Sequence, residues 1–415
     1  MILHRTIRLL VAMGLSGWMA VSGHTVARTA HVTPSTRPAV LHSMPSATTL
    51  LTEPQAGITP WLAAIHQAHH RIEINDYLLT DQLLIQALRQ AARRGVTVQV
   101  MIDGQPYGDR SAAGTTRAAF AGSSVQVKLA PTRFEGAYHY DHAKYLVVDP
   151  GTLHGLGILG SPNGTASAFD GSNLEDAVEI SNPATVEALN MVFTADWHNR
   201  HAGLLPRLSL VVSPGAQPQL LALIAPPGPI AVMTEELGDA PALYAALMLH
   251  RSAARVLVPA TLSAEDRRYA SALAAVGVQV RTLQQPYVHA KLIVTKSRTF
   301  VGSQNFSTVS LNDNREVGLI TRAAAIHRQA LAWFNAAWSR STPWGKIPQR
   351  STSSASSRTL SYIPIGDSFG QVRHLWGQPM AISHDIYHGI PETVWHFSGG
   401  TVYFQHSRVV DVTRS

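Results

Sequence analysis

The sequence of 415 residues contains no cysteine. That absence excludes disulfides, thiolate metal sites, a cysteine nucleophile and a cysteine-linked lipid anchor. Long apolar runs are scarce as well: beyond the first two dozen residues nothing approaches the length needed to span a bilayer. Acidic side chains are the rarer charge, 26 against 33 Lys and Arg, for a formal net charge of +7. A basic balance of this kind favours anionic partners: nucleic acid, phospholipid headgroups or phosphorylated small molecules.

What the chain does have begins with "MILHRTIRLLVAMGLSGWMAVSG", in which Arg5 and Arg8 precede an apolar stretch from Leu9 to Val21 and then small residues. This order predicts a secretory signal peptide over residues 1–30 and hence a periplasmic or secreted protein. Residues 31–46, rich in Thr, Pro, Ser and Ala without periodicity, read as a linker. Next, "ITPWLAAIHQAHHRIEINDYLLTDQLLIQALRQAARRGVTVQVMIDG" reads as helix, strand, helix, strand. The same grammar returns in residues 219–262, where "PIAVMTEELGDAPALYAAL" stands against "RIEINDYLLTDQLLIQAL". The repetition implies a duplicated α/β unit with pseudo-twofold halves at 47–202 and 206–342, and a site at their joint fed by matching residues from each. A Ser-rich linker, 343–361, leads to a small α+β domain at 362–415. In that domain a helix capped by Asp367 or Ser368 and ended by Gly377 precedes a hairpin turning at Gly399 and Gly400 and one further strand.

The chemistry concentrates in "YDHAKYLVVD". Side chains two apart on a strand share a face, so His142 and Lys144 are expected to project together at the head of an aliphatic strand. One such pair is common on surface strands. Here it recurs as His289 and Lys291 in "YVHAKLIVTK", and each copy continues alike. "GSPN" (Gly160, Ser161, Asn163) answers "GSQN" (Gly302, Ser303, Asn305), and each half then carries Asn-x-Glu, Asn173 with Glu175 and Asn314 with Glu316.

This doubled H-x-K-x-x-x-x-D and G-S-x-N pattern resembles the phospholipase D superfamily over roughly residues 50 to 340. The resemblance implies a duplicated phospholipase D-type α/β sandwich and a phosphodiesterase that needs no cofactor or metal. It implies that His142 attacks phosphorus to form a phosphohistidine. His289 then protonates the leaving oxygen and afterwards activates water or an alcohol. Lys144 and Lys291 cradle the phosphoryl oxygens, with Asn163 and Asn305 donating hydrogen bonds. Glu175 and Glu316 each orient the histidine of their own half. Asp149 completes the first motif a strand's length from its histidine, in a supporting part, whereas the equivalent position in the second half is Lys296. The loop around "PGTLHG" lengthens the first copy.

The substrate expected is the phosphodiester of a phospholipid headgroup, met by peripheral contact with a membrane surface. A chain that carries both halves completes its site as a monomer. Alternatives are a secreted endonuclease acting on DNA, a cardiolipin-synthase-like phosphatidyltransferase, and a catalytically inactive binding protein. The spacing of His66, His69 and His70 is metal-like but lacks a neighbouring carboxylate.

Overall fold

The structure is a computed structural model that describes residues 48–107, 111–136, 139–345, 363, 369–376, 378–387, 390–397, 400–405 and 408–414. The expected leader, both linkers except residues 343–345, and the expected C-terminal landmarks Asp367, Ser368, Gly377 and Gly399 lie outside the described residues.

Eight strands belong to the first half: β1 (Thr48–Thr52), β2 (Arg71–Asp76), β3 (Thr97–Ile102), β4 (Gln126–Leu129), β5 (Tyr145–Val148), β6 (Leu156–Gly160), the short β7 (Asn173–Leu174) and β8 (Asp176–Ile180). The second half supplies β9 (Val211–Ser213), β10 (Ile230–Met233), β11 (Ala254–Pro259), β12 (Gln279–Leu283), the short β13 (Tyr287–Val288), β14 (Leu292–Val294), β15 (Thr299–Gly302), β16 (Glu316–Thr321) and β17 (Thr342–Pro343). The first sheet runs β1-β8-β6-β5-β2-β3-β4, and the second, from its other end, runs β9-β16-β15-β14-β10-β11-β12-β17. The seven strands of the first sheet match the first seven of the second in order, and β17 is an added edge strand. The pairings agree too: β2, β3 and β4 are parallel neighbours, as are β10, β11 and β12, and the central hairpins β5-β6 and β14-β15 are antiparallel. The duplication inferred from two sequence motifs is therefore a duplication of the whole sheet.

Period-two alternation explains how the halves pack. Tyr145 and Val147 of β5 and Leu292 and Val294 of β14 enter one shared core, together with Phe193 and Trp197 from the helix Pro183–Trp197 and Phe334 from the helix Ala324–Arg340. Leu146 and Val148 face the opposite way, onto the helices Thr59–Gln67 and Gln82–Arg93, while Ile293 faces the outer core of the second half. Both central strands are buried on both faces, which accounts for their unbroken aliphatic sequence. Burying the shared core stabilises the association of the halves by about 25 cal/mol per Å² of apolar surface removed from water.

The C-terminal part has the helix Phe369–Trp376 and four antiparallel strands, β18 (Ala381–Tyr387), β19 (Ile390–Phe397), β20 (Gly400–Gln405) and β21 (Arg408–Arg414). The expected hairpin is β19-β20. The strand β18, "AISHDIY", escaped the sequence reading because its His and Asp interrupt the apolar alternation.

Candidate active site

The expected strand start at His142 needs correcting. Inter-strand bonding of β5 begins only at Tyr145, and that of β14 only at Leu292. The alternation still holds through the approach, since Ala143 and Ala290 join the shared core and Lys144 and Lys291 turn away from it. What changes is the partner of the backbone. The His142 N–H donates to the Arg315 carbonyl at 2.9 Å, and the His289 N–H donates to the Leu174 carbonyl at 3.1 Å. Each His-x-Lys segment is thus paired with the Asn-x-Glu segment of the other half, through β13 and β7 on one side and the Asp141–Arg315 bridge on the other.

That register decides which carboxylate meets which imidazole. His142 Nδ1 lies 3.0 and 3.1 Å from the two oxygens of Glu316, and His289 Nδ1 lies 2.7 Å from Glu175 Oε2. The expectation that each glutamate serves its own half is overturned: the pairs are reciprocal across the joint. Once Asp141 stands opposite Arg315, the next residues along parallel chains are His142 and Glu316, and Val288 opposite Leu174 likewise brings His289 to Glu175.

Both carboxylates are fully buried and held on several sides. Glu175 accepts from Ser161 Oγ at 2.6 Å and Asn173 Nδ2 at 3.0 Å, and Glu316 accepts from Ser310 Oγ at 2.7 Å and Asn314 Nδ2 at 3.1 Å. Burial alone would lift both glutamates. The facing histidines and the hydrogen bonds around them outweigh it and hold each below the ordinary carboxylate value. The glycines that begin the G-S-x-N segments are set by close approach. A Cβ on Gly160 would stand 2.2 Å from the Asp176 carbonyl, and one on Gly302 would stand 2.7 Å from Gly318 Cα. Any larger residue would push away the very strand that follows each glutamate.

A carboxylate at Nδ1 fixes the proton there and leaves the Nε2 lone pair for chemistry. Burial, partly offset by Glu316 and reinforced by Lys144 and Lys291, pulls the His142 imidazole down to about 4. Because the charges of both lysines act on His142, the two motifs converge on one centre. Burial also lowers the Lys144 ammonium to about 8, against the pull of Glu316. Its Nζ sits 4.9 Å over the Tyr77 ring and donates to the His142 carbonyl. Lys291 donates to the His289 carbonyl at 2.7 Å and to Glu235 Oε2 at 2.8 Å. Asn163 and Asn305 occupy matching places, each with a buried side-chain carbonyl that finds no partner among the described residues.

Asp149 stands apart from this group, at the far end of β5. Its carboxylate accepts the backbone N–H of His69, His70 and Arg71 at 2.7 to 2.8 Å, tying the chain that enters β2. Burial would raise this carboxyl, and the three N–H donors bring it below its ordinary value instead. The second half closes the same hairpin differently: Thr295 and Arg298 bond each other across the turn, and Lys296 is exposed. The second site has therefore lost no internal support with that aspartate. The His69 and His70 backbones serve Asp149, and among the described residues no group of three or more His, Asp or Glu is arranged around a metal ion.

Three residues that the sequence reading passed over belong here. Asp76 accepts the Gly164 N–H at 2.9 Å, holding the loop that presents Asn163, and burial raises its carboxyl to about 8. Asp176 accepts the Lys291 N–H at 3.0 Å across the joint. Glu235 accepts directly from Lys291, and in the aligned halves it stands against Tyr77.

A family model described as "Cardiolipin synthase, PLD-like domain" matches residues 61–197 and 243–338. Among solved structures, the chain is similar to phosphatidylserine synthase from Haemophilus influenzae, at 12% identity over 71% of this chain and 87% of that one, with a TM-score of 0.56. It is similar also to polyphosphate kinase from Porphyromonas gingivalis, at 15% identity and a TM-score of 0.53, covering 70% of this chain but only 50% of the kinase. A phospholipase D family member, Nuc from Salmonella typhimurium, is 25% identical over 37% of this chain and 94% of its own, with a TM-score of 0.31. No curated protein matches the chain. With the family model covering more than half of its residues and both halves folded as the same sheet, the chain belongs to the phospholipase D superfamily, in the family of cardiolipin-synthase-type PLD-like domains.

Proposed function

We propose that this protein is a phosphodiesterase of the phospholipase D type, acting on phospholipids through a phosphohistidine and without a metal ion. The observation that carries the proposal is the reciprocal pairing of His142 with Glu316 and of His289 with Glu175. It leaves two imidazole Nε2 atoms to divide attack and proton transfer beside two buried lysines.

The surroundings favour one division of labour. His142 Nε2 has no hydrogen-bond partner among the described residues, and a ring drawn down to about 4 is neutral at physiological pH, as a nucleophile must be. His289 has a carboxylate at each nitrogen, Glu175 at 2.7 Å from Nδ1 and Glu235 at 3.4 Å from Nε2. Two anions thus flank the ring whose assigned task is to deliver a proton. In this reading the His142 Nε2 lone pair attacks phosphorus, the P–O bond to the leaving alcohol breaks, and the His289 Nε2 proton passes to that oxygen. Water then gives a proton to His289 as it attacks phosphorus, and the P–N bond returns its electrons to His142. Lys144 and Lys291 offset the charge that grows on the phosphoryl oxygens.

Lipid is favoured over nucleic acid because the family model is that of a cardiolipin synthase domain, and such a synthase differs from a hydrolase in its acceptor, an alcohol in place of water. The leader-like first residues support placement outside the cytoplasm. The test is release of phosphatidic acid from mixed phospholipid vesicles in excess EDTA, beside cleavage of single- and double-stranded DNA, with His142→Ala as control. Lipid turnover lost in the variant is the expected result. DNA cleavage alone would move the protein to the nucleases, vesicle-dependent exchange of headgroups without net hydrolysis would make it a transferase, and silence on both substrates would leave a binding protein.

A further inference from the structure

The residue that flanks each His-x-Lys pair from the neighbouring strand differs between the halves. Asn75 stands opposite Tyr145, and Met233 stands opposite Leu292, so Tyr77 and Glu235 occupy the same place two residues on. Tyr77 sets its ring edge-on to His142, with centroids 4.8 Å apart. Glu235 instead brings a carboxylate: Oε2 lies 2.8 Å from Lys291 Nζ and 3.4 Å from His289 Nε2, while Oε1 accepts from the Tyr287 hydroxyl at 3.2 Å.

Lys291 Nζ and His289 Nε2 are the two nitrogens assigned above to a phosphoryl oxygen and to the leaving oxygen. An anion that bridges them stands where the substrate's own charge has to go. Unlike Glu175 and Glu316, whose side chains are 0% exposed, the Glu235 side chain is 20% exposed. It lies in the segment that joins β10 to the helix Pro241–His250, where Thr234 Oγ1 donates to the Glu236 carbonyl at 2.8 Å and the Leu237 N–H donates to Asp266 at 2.9 Å. The backbone is held on both sides, so the carboxylate can be reached and turned aside by rotation of its own side chain.

We propose that Glu235 is a further residue of the phosphate subsite: its carboxylate fills the place of a phosphoryl oxygen between Lys291 and His289, and an incoming phosphodiester exchanges with it. The inference rests on the phosphodiester reading and deepens it. The exchange keeps the count of hydrogen bonds to Lys291, because one oxygen acceptor replaces another. The Tyr287 hydroxyl is a donor for the displaced carboxylate. Apparent affinity for phosphate is then set by competition, since only the fraction of molecules with Glu235 withdrawn can bind. The matching place in the first half holds no such competitor, because the Tyr77 ring over Lys144 carries no net charge. The phosphate would thus be met first by Lys144 and gained by Lys291 as Glu235 leaves.

Titration calorimetry of the full chain with inorganic phosphate tests this without any turnover. Glu235→Gln and, should that variant unfold, Glu235→Ala are compared with Glu265→Gln, which removes a carboxylate from an exposed position in the first turn of the helix Ala264–Ala275. The expected result is affinity for phosphate tightened about tenfold or more in the Glu235 variants, as for a competitor that occupies most molecules, and changed less than about twofold in Glu265→Gln. Unchanged or weaker binding in the Glu235 variants would overturn the proposal, and so would equal tightening by both positions, which would mark a general effect of charge. Lys291→Ala separates the two levels of inference. If it abolishes phosphate binding while Glu235→Gln changes nothing, the subsite stands and the exchange falls; if phosphate binds regardless of Lys291 and His289, the phosphodiester reading itself fails.

Discussion

The first half and the second build one sheet from one order of strands, yet they surround their histidines with different company. Around His142 lie the Tyr77 ring, itself in edge contact with Tyr140, and a lysine set over that same ring. Around His289 lie two carboxylates and a lysine already bonded to one of them. A duplicated motif is symmetric by descent, but a phosphoryl transfer is not, because one imidazole must arrive without a proton and the other with one. The difference shows that such roles can be assigned by residues outside the motif while the motif stays the same in both copies.

The sharpest break of the comparison is to remove each histidine in turn. His142→Ala should lower turnover by about 10⁴-fold or more with any substrate, since no covalent route remains. His289→Ala should be as damaging with a phospholipid but far less so in the first step of bis(p-nitrophenyl) phosphate cleavage, because p-nitrophenolate leaves without a proton. Stopped-flow release of p-nitrophenol should then show a burst in His289→Ala and none in His142→Ala. The opposite pattern would exchange the two roles.

Next come the carboxylates that cross the joint. Glu316→Gln and Glu175→Gln should each cost about 10²- to 10⁴-fold in kcat, the range for losing control of a catalytic proton. Phosphohistidine formation, followed in a quenched reaction, should slow in Glu316→Gln, whereas its hydrolysis should slow in Glu175→Gln. If each glutamate served the histidine of its own half, these two results would be reversed.

The pH profile sharpens the same contrast. His142 must be neutral to attack, and with its ring lowered to about 4 the acid limb of kcat/KM should fall near pH 4, well below the usual histidine range. Lys144 must be charged, and an ammonium lowered to about 8 is lost as the pH rises past 8. An acid limb near pH 4 is expected in the initial rates, and an acid limb near pH 6.5 would contradict the state assigned to His142.

The smallest effects belong to the far ends of the two motifs. Asp149→Ala leaves three backbone N–H groups without their acceptor and should cost about 1–3 kcal/mol of stability with kcat unchanged, seen as a lowered Tm. Because the folded-state carboxyl lies below its ordinary value, its contribution is present above the ordinary aspartate value and fades as acid protonates it. Lys296→Ala, on an exposed turn, should stay within about 0.5 kcal/mol and leave the rate alone. Equal losses at the two positions would restore a common role for them.

The halves, their His-x-Lys pairs and the shared G-S-x-N segments were legible in the sequence because each occurs twice in matching surroundings. The crossing of the glutamates was not. A symmetric exchange of partners leaves every spacing unaltered, and only the pairing of β7 with β13 and of Asp141 with Arg315 reveals it. Glu235 was hidden for the opposite reason: its counterpart Tyr77 shares no chemistry with it, and matching by residue type discards such a position. Asp149 could be placed at a strand's length from His142, but its three N–H partners come from a turn some eighty residues earlier, at a distance no local pattern records.

The crossed histidine–glutamate pairs have a consequence for what happens when the chain is cut. Severed in the connection at residues 198–210, between the helix Pro183–Trp197 and β9, the protein would yield two fragments that each keep a His-x-Lys pair and a glutamate meant for someone else. Neither fragment could orient its own imidazole. Mixed together, they would regain turnover only in proportion to their complex, so that catalysis becomes a direct readout of fragment affinity, titratable by diluting one piece against the other.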